Sequence, residues 1–165
     1  MPGASTGSDE VTRFIHLLAL ATYFGTTLDL VLVFLPAAGT VSEPAAQRRL
    51  LARGLRPYNV LSIGALGVLV ISGASSLTDM KARFGPQYAR FLWPLVGKLG
   101  LTFLLINVAT YISFGLAHRL VRAELGQVPV EPEKQAGMVR RMRGAGWLAI
   151  GLAAWTAWVG LGLGG

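Results

Sequence analysis

The chain contains no cysteine. That single absence excludes disulfides, thiolate metal centres, iron–sulfur clusters and thiol redox chemistry. Charge is also scarce. Asp, Glu, Lys and Arg together make up 14% of the 165 residues, against roughly a quarter in soluble domains. Acids are the scarcer sign, with 8 Asp+Glu against 15 Lys+Arg, and the formal charge is +7. There are only two histidines. No glycine-rich phosphate loop, nucleophile motif, carboxylate pair, internal repeat or low-complexity segment occurs.

What the chain has in quantity is apolar sequence. Its hydrophobic fraction is 53%, gathered into four long runs. A membrane-crossing helix needs about 20 mostly apolar residues. The candidates are residues 13–35, 57–77, 93–117 and 144–163. The fold expected is all-α, an integral membrane bundle of four transmembrane helices forming one domain over residues 1–165. Pro36 ends the first run, and Pro57 and Pro94 sit at the starts of the second and third, where a fixed φ and a missing N–H cost little. The first run is not expected to be a cleaved signal: its leading segment is net acidic, and the run exceeds the roughly 7–15 residues of a signal core.

Three connections join the runs. The first, Pro36 to Arg56, includes a short interfacial helix over residues 43–51. The second runs from Thr78 to Leu92. The third begins as a continuation of the third helix, breaks near Gly126 and Pro129, and resumes around residues 135–143. The first and third carry Arg48, Arg49, Arg53, Arg56, Arg119, Arg122, Lys134, Arg140, Arg141 and Arg143. The opposite side has Arg13, Lys81, Arg83 and Arg90. Basic loops stay in the cytoplasm, so both termini are expected outside, in the cell (inner) membrane. With the cations spent on flanking the spans, no basic surface is left for nucleic acid.

Laid out at about 100° per residue, the first helix places Leu17, Phe24, Leu28, Val31 and Leu35 on one side. His16, Ala19, Thr22, Tyr23, Thr26 and Asp29 lie on the other. Polar groups in hydrocarbon need partners, so the second set is expected to face the bundle, with Asp29 against Asn59 or Arg56. In the third helix Leu101, Leu104, Leu105, Val108 and Ile112 form the expected lipid side. Thr102, Thr110 and Ser113 lie opposite, with Asn107 on a flank. In the second, Asn59, Ser62, Ser72, Gly73 and Ser76 form a polar strip. In the fourth, Trp147, Gly151, Ala154 and Trp158 share a face, with Trp155 nearby. Tryptophan at helix ends reads first as an interface anchor.

His16 is the sharpest candidate. Its imidazole can ligate iron or copper, relay a proton, or hydrogen-bond a neighbour. Lys98 lies about one turn inside the same end of the bundle and can turn inward or snorkel to the headgroups. His118 reads as a solvated helix-end residue. Met138 and Met142, four apart, suit Cu(I) but read first as an apolar stripe.

The run Arg13-Phe14-Ile15-His16-Leu17-Leu18-Ala19-Leu20-Ala21-Thr22-Tyr23-Phe24-Gly25 resembles the first helix of the CopD-like and HemJ-like membrane families. Those helices carry a histidine, an aromatic seven residues on, and a glycine, here His16, Tyr23 and Gly25. The family has tryptophan where Tyr23 stands. Ile71-Ser72-Gly73 resembles the glycine that ends the family's second helix. Phe91-Leu92-Trp93-Pro94-Leu95-Val96-Gly97-Lys98-Leu99 resembles the aromatic-rich opening of its third. The likeness covers about the first two-thirds of the chain.

HemJ-like proteins oxidise protoporphyrinogen and bind haem b, and their functional pair is a first-helix histidine and a third-helix lysine. The resemblance implies that His16, Lys98 and Tyr23 are cofactor-binding and that His16 is the metal ligand. A histidine can hold iron and a cation can meet a propionate. CopD-like domains are associated with copper uptake or tolerance, which implies copper at His16, with Met80 as a further donor. The family's additional histidines near the end of helix three are missing, for Asn107-Val108-Ala109-Thr110-Tyr111 stands there. Val33-Phe34-Leu35-Pro36 replaces its charged pattern after helix one. The expectation is therefore a diverged relative rather than a protoporphyrinogen oxidase. A third reading is a non-catalytic membrane subunit or scaffold, using Gly144, Gly151 and Gly160 to dock partner helices. The partners expected are the bilayer and a second copy or a membrane subunit.

Overall fold

The computed structural model of the chain describes residues 7–84 and 92–162. Among these residues there is no β-strand. Helix α1 (Gly7–Asp29) runs into a π-helical turn, Leu30–Phe34, and then into α2 (Leu35–Gly39) without leaving helical dihedrals. Pro36 follows the π turn after one residue, Leu35. A proline has no N–H to donate, and its ring crowds the carbonyl four residues back. The wider turn just before it supplies that room. The first rod stops at Thr40, whose hydroxyl and backbone N–H both bond the Ala37 carbonyl, at 2.8 and 3.2 Å.

The 41-residue α3 (Pro44–Phe84) is one helix, which corrects two expectations. The interfacial helix over 43–51 is not separate, and Pro57 is inside the helix rather than at its start. Pro57 removes one backbone bond, but Leu51, Leu55 and Tyr58 on either side of it are all buried. Their packing keeps the helix continuous across the defect. The helix also extends to Phe84, into the expected second connection; residues 85–91 of that stretch lie outside the described residues.

Helix α4 (Leu92–Thr110) passes through a second π-helical segment, Tyr111–Ala117, into α5 (His118–Glu124). Gly126 then turns the chain at φ 71°. Its N–H bonds the Ala123 carbonyl and the Gln127 N–H bonds Arg122 at 3.0 Å, the paired bonds of a Schellman stop. Helix α6 (Pro132–Gly162) opens on a proline in its first turn and runs for 31 residues, joining the expected 135–143 segment to the fourth apolar run.

Three stretches, Glu10–Gly39, Pro44–Ala74 and Leu95–Glu124, are long and apolar enough to cross a membrane. The four rods share a core of Tyr23, Leu30, Leu55, Tyr58, Ile112 and Met142 among others. α1 packs mainly on α3, and α4 mainly on α6. One end of the bundle holds the start of α1 and the end of α6, and is called the terminal end below. The other holds the first and third connections and is called the basic end.

The helix faces differ in part from expectation. In α1 the packed stripe is Ala19, Tyr23, Thr27 and Leu30, and it continues through Val31 and Leu35, which were expected to face outward. Asp29, expected inward, is exposed and has no partner among the described residues. The reason is that polar residues here satisfy themselves. Thr22 donates to Leu18, Thr26 to Thr22 and Thr27 to Tyr23, each along its own helix. A hydroxyl bonded to the carbonyl four residues back needs no neighbour, so polarity does not mark the packed side. The π turn then shifts the phase and brings Leu35 inward. In α4 the same holds: Asn107 bonds Phe103 and Thr102 bonds Lys98. The buried residues are Leu105, Ala109, Ile112 and Ser113, so Leu105 and Ile112 are core and not lipid-facing. In α3, Ser62 and Ser72 are buried as expected. The Trp147, Gly151, Ala154 and Trp158 face of α6 is wholly exposed.

Candidate functional site

Four helices contribute to one cluster at the terminal end. His16 comes from the third turn of α1. Its Nδ1 lies 2.8 Å from the hydroxyl oxygen of Ser72 on α3. Ser72 has one proton, and its Oγ lies 2.6 Å from the Val68 carbonyl and 3.3 Å from that of Leu69. With the Ser72 proton given to Val68, Nδ1–H of His16 is the donor and Ser72 Oγ the acceptor. The hydrogen bond made by one ring nitrogen fixes the state of the other. In the neutral ring Nε2 is therefore the nitrogen with a lone pair, the form in which imidazole holds a metal or accepts a proton. The neighbouring residue, Gly73, provides a flat seat: a Cβ there would stand 3.8 Å from His16 Cε1.

Lys98 comes from the second turn of α4 and turns inward. Its Nζ lies 3.2 Å from where a Cβ of Gly160 on α6 would stand. The ammonium lies at the same end of the bundle as His16, since Gly160 stands near the end of α6. It has no anionic partner among the described residues. Gly160, one of the glycines of the scaffold reading, stands beside a side chain of its own bundle. Gly144 and Gly151 have nothing within 4 Å of a Cβ position.

A shallow groove of about 240 Å³ opens on the α1–α3 seam beside this cluster, lined by Thr12, Ile15, Val68, Ile71 and Ser72. Ser72 belongs to both. The centre of the bundle is filled by side chains.

Tyr23 is not at this cluster. It lies two turns further along α1, fully buried, in the same core as Tyr58. Among the described residues neither phenolic oxygen meets a partner in hydrogen-bonding geometry, although the Thr27 and Ser62 hydroxyls stand near that of Tyr58; Asn59 Oδ1 and Ser113 Oγ are likewise buried without one. His118 is exposed at the start of α5. Met142 is core and Met138 packs against it. The side chain of Met80 lies outside the described residues. Among the described residues no three His, Cys, Asp or Glu side chains gather in a metal-binding group.

Sequence reasoning singled out His16 and Lys98 because each is a rare ionisable group in an apolar run. It did not pair His16 with Ser72, 56 residues away, and no local signal does so. It also missed a clamp at the basic end, where the Gln135 amide donates to Gln47 Oε1 at 2.7 Å and Gln47 donates to the Ala38 carbonyl at 3.0 Å. No family model matches the chain, and no curated protein or solved structure matches it either.

Proposed function

We propose that this chain is a multi-pass membrane protein with four spans, both termini outside and the basic connections in the cytoplasm. Its terminal-end cluster binds haem, with Nε2 of His16 as the iron ligand. Membrane embedding is supported by the apolar exterior: Phe14, Ile71, Trp93, Phe103 and Trp158 are each at least 66% exposed. A water-facing surface of that kind marks an interaction region or a lipid contact. Here it runs around the rods, as a bilayer requires. α6 counts as the fourth span although its glycine and tryptophan content lowers its hydropathy; its glycines and alanines permit close packing in membranes.

The observation that carries the haem reading is the Ser72 contact. Ligating histidines almost always donate the other ring N–H to a fixed acceptor, and Ser72 holds His16 in that state. Lys98, which has no anionic partner among the described residues, adds a cation for a propionate. The donor set favours haem over copper. A porphyrin brings four nitrogens of its own and needs one protein ligand, whereas a copper site needs several protein donors. The core is filled by side chains, so a haem held by His16 would lie at the outside of the terminal end, next to the α1–α3 groove that shares Ser72. That groove is smaller than the roughly 300–1,000 Å³ of an enclosing pocket and would hold only part of such a group. When bound, haem supplies one-electron redox chemistry. The chain's own residues position it: Ser72 orients His16, Ile15 and Ile71 offer apolar contact, and Gly160 gives Lys98 its place. Tyr23 has a packing role beneath the site.

The test is an absorbance spectrum, oxidised and dithionite-reduced, of detergent-purified protein from haem-replete cells, beside His16→Ala. The proposal expects a Soret band and sharp reduced bands that the variant loses. A featureless wild-type spectrum overturns it.

A further inference from the structure

At the basic end a second groove, about 570 Å³, lies between α2 and the first turns of α6. Its apolar part is Leu35, Pro36, Ala136 and Val139, and its charged part is Arg140 and Arg143. The two arginines are three apart and so share one face of the helix. No carboxylate lines the groove. Three other cations of this end are engaged: Arg49 with Glu124 at 3.9 Å, Lys134 with Glu131 at 3.1 Å, and Arg122 with Gln127 at 3.2 Å. Arg140 and Arg143 have no ion-pair or hydrogen-bond partner among the described residues. The groove is also preformed. Gln47 lines it and is held by Gln135 and Ala38, which ties α2, α3 and α6 together around it.

We infer that this groove binds an anionic phospholipid of the cytoplasmic leaflet. Its apolar floor takes the glycerol and upper acyl region, and the two guanidinium groups take the phosphate. Arginine suits this because its planar fork donates to phosphate bidentately. Basic pockets between spans on the cytoplasmic side hold such headgroups. A free phosphate would use the cations but leave the apolar floor uncovered, and so the lipid is the occupant. The inference rests on the membrane reading above and is independent of the haem.

The experiment is thermal unfolding of the full chain in detergent, with added phosphatidylglycerol, phosphatidylcholine or inorganic phosphate. Phosphatidylglycerol raises the wild-type midpoint by about 5 °C over phosphatidylcholine, the shift of a ligand well above its dissociation constant. A control of equal charge loss, Arg53→Gln with Arg56→Gln, keeps that shift. Arg140→Gln with Arg143→Gln at least halves it. So does Ala136→Trp, which fills the groove and leaves both charges, and which decides the matter if the double variant does not fold. Equal shifts from both lipids, an undiminished shift in Ala136→Trp, or a full shift from phosphate alone would overturn the inference. Failure of the membrane reading is seen separately, as protein recovered in the soluble fraction without detergent.

Discussion

Gly146 and Gly160 both stand on α6, and both lack a Cβ for reasons found on another helix. A Cβ at Gly146 would collide with a methyl of Val31, which is fully buried and stiff at χ1. Gly146→Ala is expected to lower stability by about 1–3 kcal/mol, the usual cost of overpacking, read as a lower unfolding midpoint in detergent. At Gly160 the obstacle is the flexible end of Lys98. Gly160→Ala is expected to leave the midpoint nearly unchanged while displacing the ammonium. Its readout is a shifted reduced spectrum rather than a loss of fold. Tyr58 presents the opposite case. Its hydroxyl is buried with no well-formed hydrogen bond among the described residues, and such a group carries much of its desolvation cost unrelieved. Tyr58→Phe is expected to be neutral or to stabilise the protein by up to about 1 kcal/mol. A loss above that size would show that the hydroxyl has a partner. His16 and Lys98 were legible in the sequence because charge is rare there. The roles of Ser72 and Gly160 were not, because each depends on which residue of another helix arrives beside it.

The helices were legible as apolar runs, but their inward faces were not. Thr22, Thr26, Thr102 and Asn107 bond their own helix, so they carry no information about which side is packed. The π segments Leu30–Phe34 and Tyr111–Ala117 then move the packed stripe, and a fixed angle per residue cannot follow that change. A π turn behaves as one extra residue in an α-helix. Deleting the exposed Leu32 from the first of them is therefore expected to restore regular helix and leave Tyr23 and Leu35 on one face. Deleting Ala21 from regular helix rotates everything before it by about 100° and is expected to abolish folding. Comparable detergent-solubilised yields and midpoints for the two deletions would contradict this. Pro57 is a similar lesson in α3. It reads as a helix start, yet buried neighbours on both sides carry the helix through it.

For the molecule as a whole, the missing cysteine is an experimental advantage. A single cysteine introduced at Gly7 or at Gln127, both exposed, reports its side of the membrane without background. In intact cells an impermeant maleimide is expected to label Gly7→Cys and to leave Gln127→Cys unlabelled until the cells are opened. The reverse would invert the topology drawn from the ten cations of the first and third connections. The proposed site would form only in the complete bundle, since His16, Ser72, Lys98 and Gly160 come from four different rods. The most direct test of that site is ligand replacement. His16→Gly is purified haem-free, reconstituted with haem, and its reduced spectrum is recorded with and without added imidazole beside reconstituted wild type. The account predicts that the sharp reduced bands of the wild type are absent in the variant and return with imidazole. Bands of equal strength in His16→Gly without imidazole would show that His16 is not the ligand.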